Sequence, residues 1–111
     1  MIYEFCAENV TLLEKAMQAG ARRIELCDNL VVGGTTPSYG VTKAAVELAA
    51  NYDTTIMTMI RPRGGDFVYT DFEIAIMLED IRLTAQAGSQ GVVFGALTAD
   101  KKLDKANLEK L

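Results

Sequence analysis

Short β-branched runs and helix-period runs alternate four times along these 111 residues, and few architectures accept that order. The first strand is read at Ile2 to Cys6, followed by a helix capped by Asn9 with apolar residues at Leu13, Ala16 and Met17 and a stop at Gly20. The second strand is Arg23 to Cys27, and Val41, Ala44, Ala45, Leu48 and Ala49 share one face of the helix after it. Thr54 to Ile60 form the third strand. The next helix opens on the capping-box spacing of Thr70 and Glu73, turns Ile74, Met77, Leu78, Ile81 and Ala85 inward, and ends at Gly88. Gly91 to Gly95 read as a fourth strand, and Asp104 as the cap of a last helix.

Strands separated by crossover helices imply a parallel sheet with right-handed connections. An open dinucleotide-binding sheet would place a G-x-G-x-x-G loop after its first strand. Here that position reads Cys6-Ala7-Glu8-Asn9, so a closed barrel is preferred. A full (β/α)8 barrel of the TIM type needs eight strands and roughly 250 residues. The expected fold class is therefore α/β, with residues 1–111 forming one truncated unit, the N-terminal half of such a barrel in four parallel β-α units. A half barrel leaves two sheet edges unpaired, from which a homo-oligomer is expected.

Composition narrows the function. Hydrophobic residues make up 50% and charged residues 23% of the chain, as in ordinary folded domains. The formal charge is −4 and the eleven basic residues are scattered, which argues against nucleic acid or an anionic membrane as partner. No apolar run is long enough to span a bilayer. Two cysteines without a leader segment point to reduced thiols and a cytoplasmic location. There is no histidine, so any proton transfer or metal ligation falls to Cys, Asp, Glu, Lys, Arg or Tyr.

Barrel sites lie at the C-terminal ends of strands. Those ends carry Glu4 and Cys6, then Glu25 and Cys27, then Arg61 and Arg63. Alternation places Glu4 with Cys6 and Glu25 with Cys27 on shared faces. If both faces point into the barrel, two thiols on neighbouring strands about 4.8 Å apart can share a soft ion. Equally, free cysteines are often just buried apolar residues. Glu25 is a candidate acid or base, and Glu4 either lines the site or faces the helices' polar margin. In Arg61-Pro62-Arg63-Gly64-Gly65-Asp66, the two arginines either present guanidinium forks to a small anion or pair internally with Glu4, Glu25 or Asp66. Met57 and Met59 read as core filling.

The segments Arg23-Ile24-Glu25-Leu26-Cys27, Gly33-Gly34-Thr35-Thr36-Pro37-Ser38, Met59 to Phe67 and Gly91-Val92-Val93-Phe94-Gly95 together resemble the CutC family, in order and at matching spacing. That resemblance implies a cytoplasmic barrel protein of copper homeostasis. Cys6 and Cys27, 21 positions apart, match the cysteines implicated in Cu(I) binding, and copper is the implied metal. Glu25, Arg61, Arg63 and Asp66 match positions lining the barrel mouth. Departures are Phe5, where the family often has valine, and the lack of the family's second half with its phenylalanine-histidine-arginine-alanine-phenylalanine-aspartate motif. Two functions follow as expectations: a cytosolic Cu(I)-binding copper-homeostasis protein, or a barrel enzyme that clamps a small anionic metabolite with Arg61 and Arg63.

Overall fold

A computed structural model describes residues 1–111, with one parallel sheet in the strand order β1-β2-β3-β4. Strands and helices alternate as β1 (Glu4–Glu8), α1 (Leu13–Gln18), β2 (Arg23–Cys27), α2 (Tyr39–Ala49), β3 (Thr55–Met59), α3 (Asp71–Gln86), β4 (Gly91–Val93) and α4 (Lys105–Lys110). Four parallel strands alternating with helices are half of a TIM-type barrel, as the sequence pattern implies. No helix is long and apolar enough to cross a membrane.

The first strand starts later than Ile2. The amides of Arg22 and Arg23 both donate to the Tyr3 carbonyl, so the ladder with β2 opens after Tyr3, and Ile2 and Tyr3 stay exposed. At the other end the Asn9 amide donates to the Cys27 carbonyl at 2.8 Å. Pairing thus runs past Cys6, which lies in the middle of β1 rather than at its end. Asn9 is not the cap of α1. Its backbone turns through the left-handed region (φ 57°), its side chain accepts from the Val10 amide, and α1 begins only after Leu12.

Two buried clusters hold the helices on one face of the sheet. Ala7, Ile24, Leu26 and Ile56 from β1–β3 pack with Leu13 and Met17 of α1 and with Ala45 and Ala49 of α2. Ile60 packs with Tyr69, Ala96 and the α3 residues Ile74 and Met77. Thr70 and Glu73 form the expected capping box, each side chain accepting from the other's backbone amide.

The helix faces differ in detail from the periodic reading. In α2 the inward positions are Thr42, Ala45 and Ala49, and Ala44 is exposed. Thr42 is tolerated there because its hydroxyl donates to the Ser38 carbonyl at 3.1 Å. In α3, Thr84 is buried while Leu78 and Ala85 face solvent, because the apolar stripe is wider than the strip of sheet the helix covers. The fourth strand stops at Val93, where the Ile60 amide takes its carbonyl at 2.8 Å, and Phe94 and Gly95 leave the sheet.

Because alternate residues on β1–β3 enter the helix-packed core, the remaining ones share the opposite, helix-free face. The register pairs Glu4 with Arg23 and Thr55, then Cys6 with Glu25, Met57 and Gly91. One step further up, Glu8 stands beside Cys27, and Met59 beside Val93.

Candidate functional site

The helix-free face carries the reactive residues. Cys6 and Cys27 are not directly opposite, since Cys6 pairs with Glu25 and Cys27 lies two residues further along β2. The pair is diagonal. Even so, both sulfurs and a Glu25 carboxylate oxygen lie within 4.8 Å of one another. Cys6 is exposed, Glu25 half-buried and Cys27 fully buried, and neither thiol is in a disulfide. The roof over Cys27 is Gly34, held at φ 96°, where an added Cβ would stand 3.3 Å from the Cys27 sulfur. That backbone strongly favours glycine, and the close approach seals Cys27 from solvent.

Burial pushes the Cys27 thiol up to about 12 from an ordinary value of 9.0, and the neighbouring Cys6 and Glu25 add to the rise. The sign of the resulting pH dependence follows. Between about pH 9 and 12 the unfolded chain gives up this proton while the folded chain keeps it. Folding stability from this group is therefore intact below pH 9 and declines as pH rises toward 12. We expect the urea midpoint to drop between about pH 8 and about pH 11, and to drop less in Cys27→Ser. Parallel curves for the two proteins would show that the thiol does not titrate abnormally.

Glu4 forms an ion pair with Arg23 (Nε–Oε2 2.5 Å) at the lower end of the face, away from the thiols in register. Glu8, which sequence reasoning did not single out, stands opposite Cys27, and its carboxylate accepts the Leu30 amide at 2.8 Å. Met57 leans away from the thiols. Its sulfur would lie 2.8 Å from a Cβ added at Gly91, so the thioether covers that glycine.

The arginines are placed otherwise. Arg61 is 6% exposed, and its Nη1 donates to the carbonyls of Val32 (2.6 Å) and Gly34 (2.9 Å). Its Nη2 donates to the Gly65 carbonyl at 2.7 Å, and the guanidinium stacks 4.8 Å from the Phe67 ring centre. Arg61 Nε and the Tyr69 hydroxyl are buried without partners. Arg63 pairs with Glu73 (Nε–Oε2 2.6 Å) and Asp66 (3.2 Å), and donates to the carbonyls of Asp66 and Val68. The Thr70 amide and Arg63 together hold the Glu73 carboxyl below the usual carboxylate range. Asp66 is exposed and joins the Arg63 network, not the thiol group.

Apart from Glu4, which pairs with Arg23, the candidate residues divide into two sets. Cys6, Glu25 and Cys27 converge, while Arg61 ties the β2–α2 loop to the β3–α3 loop and Arg63 with Asp66 braces the β3–α3 loop against Glu73. Gly34 connects the sets, lying against the Cys27 sulfur and giving its carbonyl to Arg61.

Comparison with known proteins agrees with this architecture. The CutC family profile matches residues 1–111, the whole chain. A family protein CutC of Streptococcus pyogenes is 54% identical over 111 residues, covering 100% of this chain and 53% of that protein. The copper homeostasis protein cutC homolog of Mus musculus is 46% identical over 104 residues, covering 94% of this chain and 37% of its own length. The solved structure of a CutC from Streptococcus agalactiae superposes with a TM-score of 0.95 at 48% identity, covering 100% of this chain and 53% of that one. The chain thus spans about half the length of these relatives, or less. Because the family profile matches all of residues 1–111, the chain belongs to the CutC family.

Proposed function

We propose that the chain is a copper-homeostasis protein of the cytoplasm that binds Cu(I) through Cys6 and Cys27. The observation that carries this reading is the convergence of two free thiols from adjacent strands to within 4.8 Å on one face. Thiolates are the preferred donors for Cu(I), which accepts two of them without further ligands. The name of the mouse relative, a copper homeostasis protein cutC homolog, supports the same cargo. A reducing compartment keeps both thiols available. We propose also that the chain is homo-oligomeric, because both outer edges of its sheet are unpaired.

The test is anaerobic titration of the reduced protein with Cu(I) against a competing chelator, alongside the Cys6→Ser/Cys27→Ser variant. Tight one-to-one binding that the double variant loses is the expected result. It should strengthen with pH, because each thiol proton displaced adds up to about tenfold per pH unit. Equal, weak binding by both proteins would make the cysteines structural.

A second reading is a barrel enzyme for a small anionic metabolite, with Glu25 as acid or base. It draws support from a cavity of about 550 Å³ at the N-terminus of α2, lined by Thr36, Ser38, Arg61 and Arg63. The internal engagement of both guanidiniums weighs against it. Heat on titration with inorganic phosphate or small carboxylates would favour it.

A further inference from the structure

We propose that Glu25 completes a three-donor site, with Cys6 and Cys27, that also takes a thiophilic divalent cation of the zinc type. The proposal rests on the reading that the thiol pair is a metal site, and it adds a second class of ion and a role for Glu25.

Geometry is the first support. The Glu25 oxygen is as much a part of the cluster as either sulfur, since all three donor atoms lie within 4.8 Å of one another. Small side-chain rotations bring such donors to the distances of about 2.0–2.3 Å at which carboxylate oxygen and thiolate sulfur bind Zn²⁺. Glu25 is also unengaged. Its carboxylate accepts no hydrogen bond and joins none of the ion pairs in the structure. Arg23, two residues before it on the same face of β2, is already held by Glu4.

Of the other side chains near the thiols, Met59 reaches the same Gly34 that covers Cys27 but offers only a neutral thioether, and the rest are occupied or turned away. Glu8 accepts the Leu30 amide, Met57 lies over Gly91, and the sequence has no histidine.

Charge and donor type decide which ion such a set favours. Two thiolates and a carboxylate carry three negative charges. A monovalent ion leaves two of them uncompensated beside the buried Cys27, whereas a divalent ion leaves one. Oxygen donors also add little to the binding of a soft monovalent ion, while a mixed sulfur and oxygen set suits Zn²⁺. Three protein ligands leave a fourth position for water, and the exposed Cys6 and half-buried Glu25 place that position on the solvent side. On this account Cu(I) uses the two thiols alone, and a divalent ion uses the thiols and Glu25, with the thiol protons released to solvent in both cases.

The experiment compares the whole 111-residue chain with Glu25→Gln and Glu25→Asp, all reduced and matched for folding by urea midpoint. Each is titrated with Zn²⁺ and separately with Cu(I) against competing chelators, and Co²⁺ serves as a spectroscopic probe for thiolate ligation. In Glu25→Gln we expect Zn²⁺ affinity to fall by at least the ~10–100-fold that loss of even an outer partner of a metal costs. Cu(I) affinity should stay nearly unchanged. Glu25→Asp, which keeps the charge on a shorter arm, should recover part of the Zn²⁺ affinity. Unchanged Zn²⁺ binding in Glu25→Gln, or Cu(I) binding without Zn²⁺ binding in the parent chain, overturns the role of Glu25 and leaves the copper reading standing. Failure of the parent chain to bind either ion overturns both.

Discussion

Replacing Arg61 by alanine is expected to cost about 3 kcal/mol or more of folding stability, since each of three buried carbonyls left without its donor costs about 1–3 kcal/mol. The guanidinium adds to the bonds by which Thr36 already holds the Arg61 backbone, and it reaches further along both loops. Nη1 holds the Val32 and Gly34 carbonyls of the β2–α2 loop, and Nη2 holds the Gly65 carbonyl of the β3–α3 loop. Without it, three carbonyls lose a charged donor and the Phe67 ring loses the cation stacked on it. A domain of this kind has only about 5–15 kcal/mol in total, so the loss is a large share. Urea unfolding at fixed protein concentration measures it. Arg61→Lys should recover little, because one ammonium cannot reproduce a planar fork that reaches carbonyls in two loops. The change should also be felt at Cys27. Arg61 pins the Gly34 carbonyl, and Gly34 roofs the thiol, so Arg61→Ala should speed alkylation of Cys27 under native conditions. A variant with parent-like stability and parent-like Cys27 reactivity would show that the clamp contributes nothing.

This role also explains what the sequence could and could not convey about the site. The motif from Arg61 to Asp66 is conspicuous as a sequence, and its two arginines read naturally as anion binders. What the guanidiniums touch depends on where loop carbonyls point. Those directions are set by left-handed backbone at Gly33, Gly34 and Gly65, which side-chain pattern does not encode. Arg63 likewise finds Glu73, a residue legible only as a capping partner. The strand alternation was legible because buried parallel strands need β-branched runs, and β2 falls where Arg23 to Cys27 placed it. The start of β1 was not, since Ile2 and Tyr3 have strand-like side chains but lie outside the ladder to β2. That shift of two residues matters. It moves Cys6 to mid-strand, makes the thiol pair diagonal, and brings in Glu8, which no motif marks. The thiols still meet, because a two-residue offset leaves both side chains on the same face.

Sedimentation velocity is expected to show a species larger than one chain, dissociating on dilution, with an unfolding midpoint that rises with protein concentration. The reason lies at the sheet margins. In the order β1-β2-β3-β4, β1 and β4 each have one neighbour, so each presents a row of unpaired amides and carbonyls. All four strands are parallel, so a second copy related by a two-fold axis along the strands would set β4 of each chain beside β1 of the other in the parallel sense. Apolar surface flanks the β1 margin. A groove of about 430 Å³ runs beside it, its lining mostly apolar (Tyr3, Phe5, Leu12, Ala16, Ala19 and Ala21) with Glu4 and Lys15 as its charged members. Phe72 and Leu78 of α3 are also exposed, at 78% and 40%. Leaving such surface in water costs about 25 cal/mol per Å², which favours any contact that covers it. Ala16→Glu separates the groove from the sheet itself. Ala16 lies on α1 and only partly within the core, so the substitution should leave the fold intact. It should weaken association by about tenfold or more, because burying a carboxylate in the contact is costly even with Lys15 in the same groove. If the parent chain is a monomer at every concentration, with a fixed unfolding midpoint, the margins are stable in water by themselves. If it associates and Ala16→Glu does so equally, the contact runs through the open strand edges and not through the α1 groove.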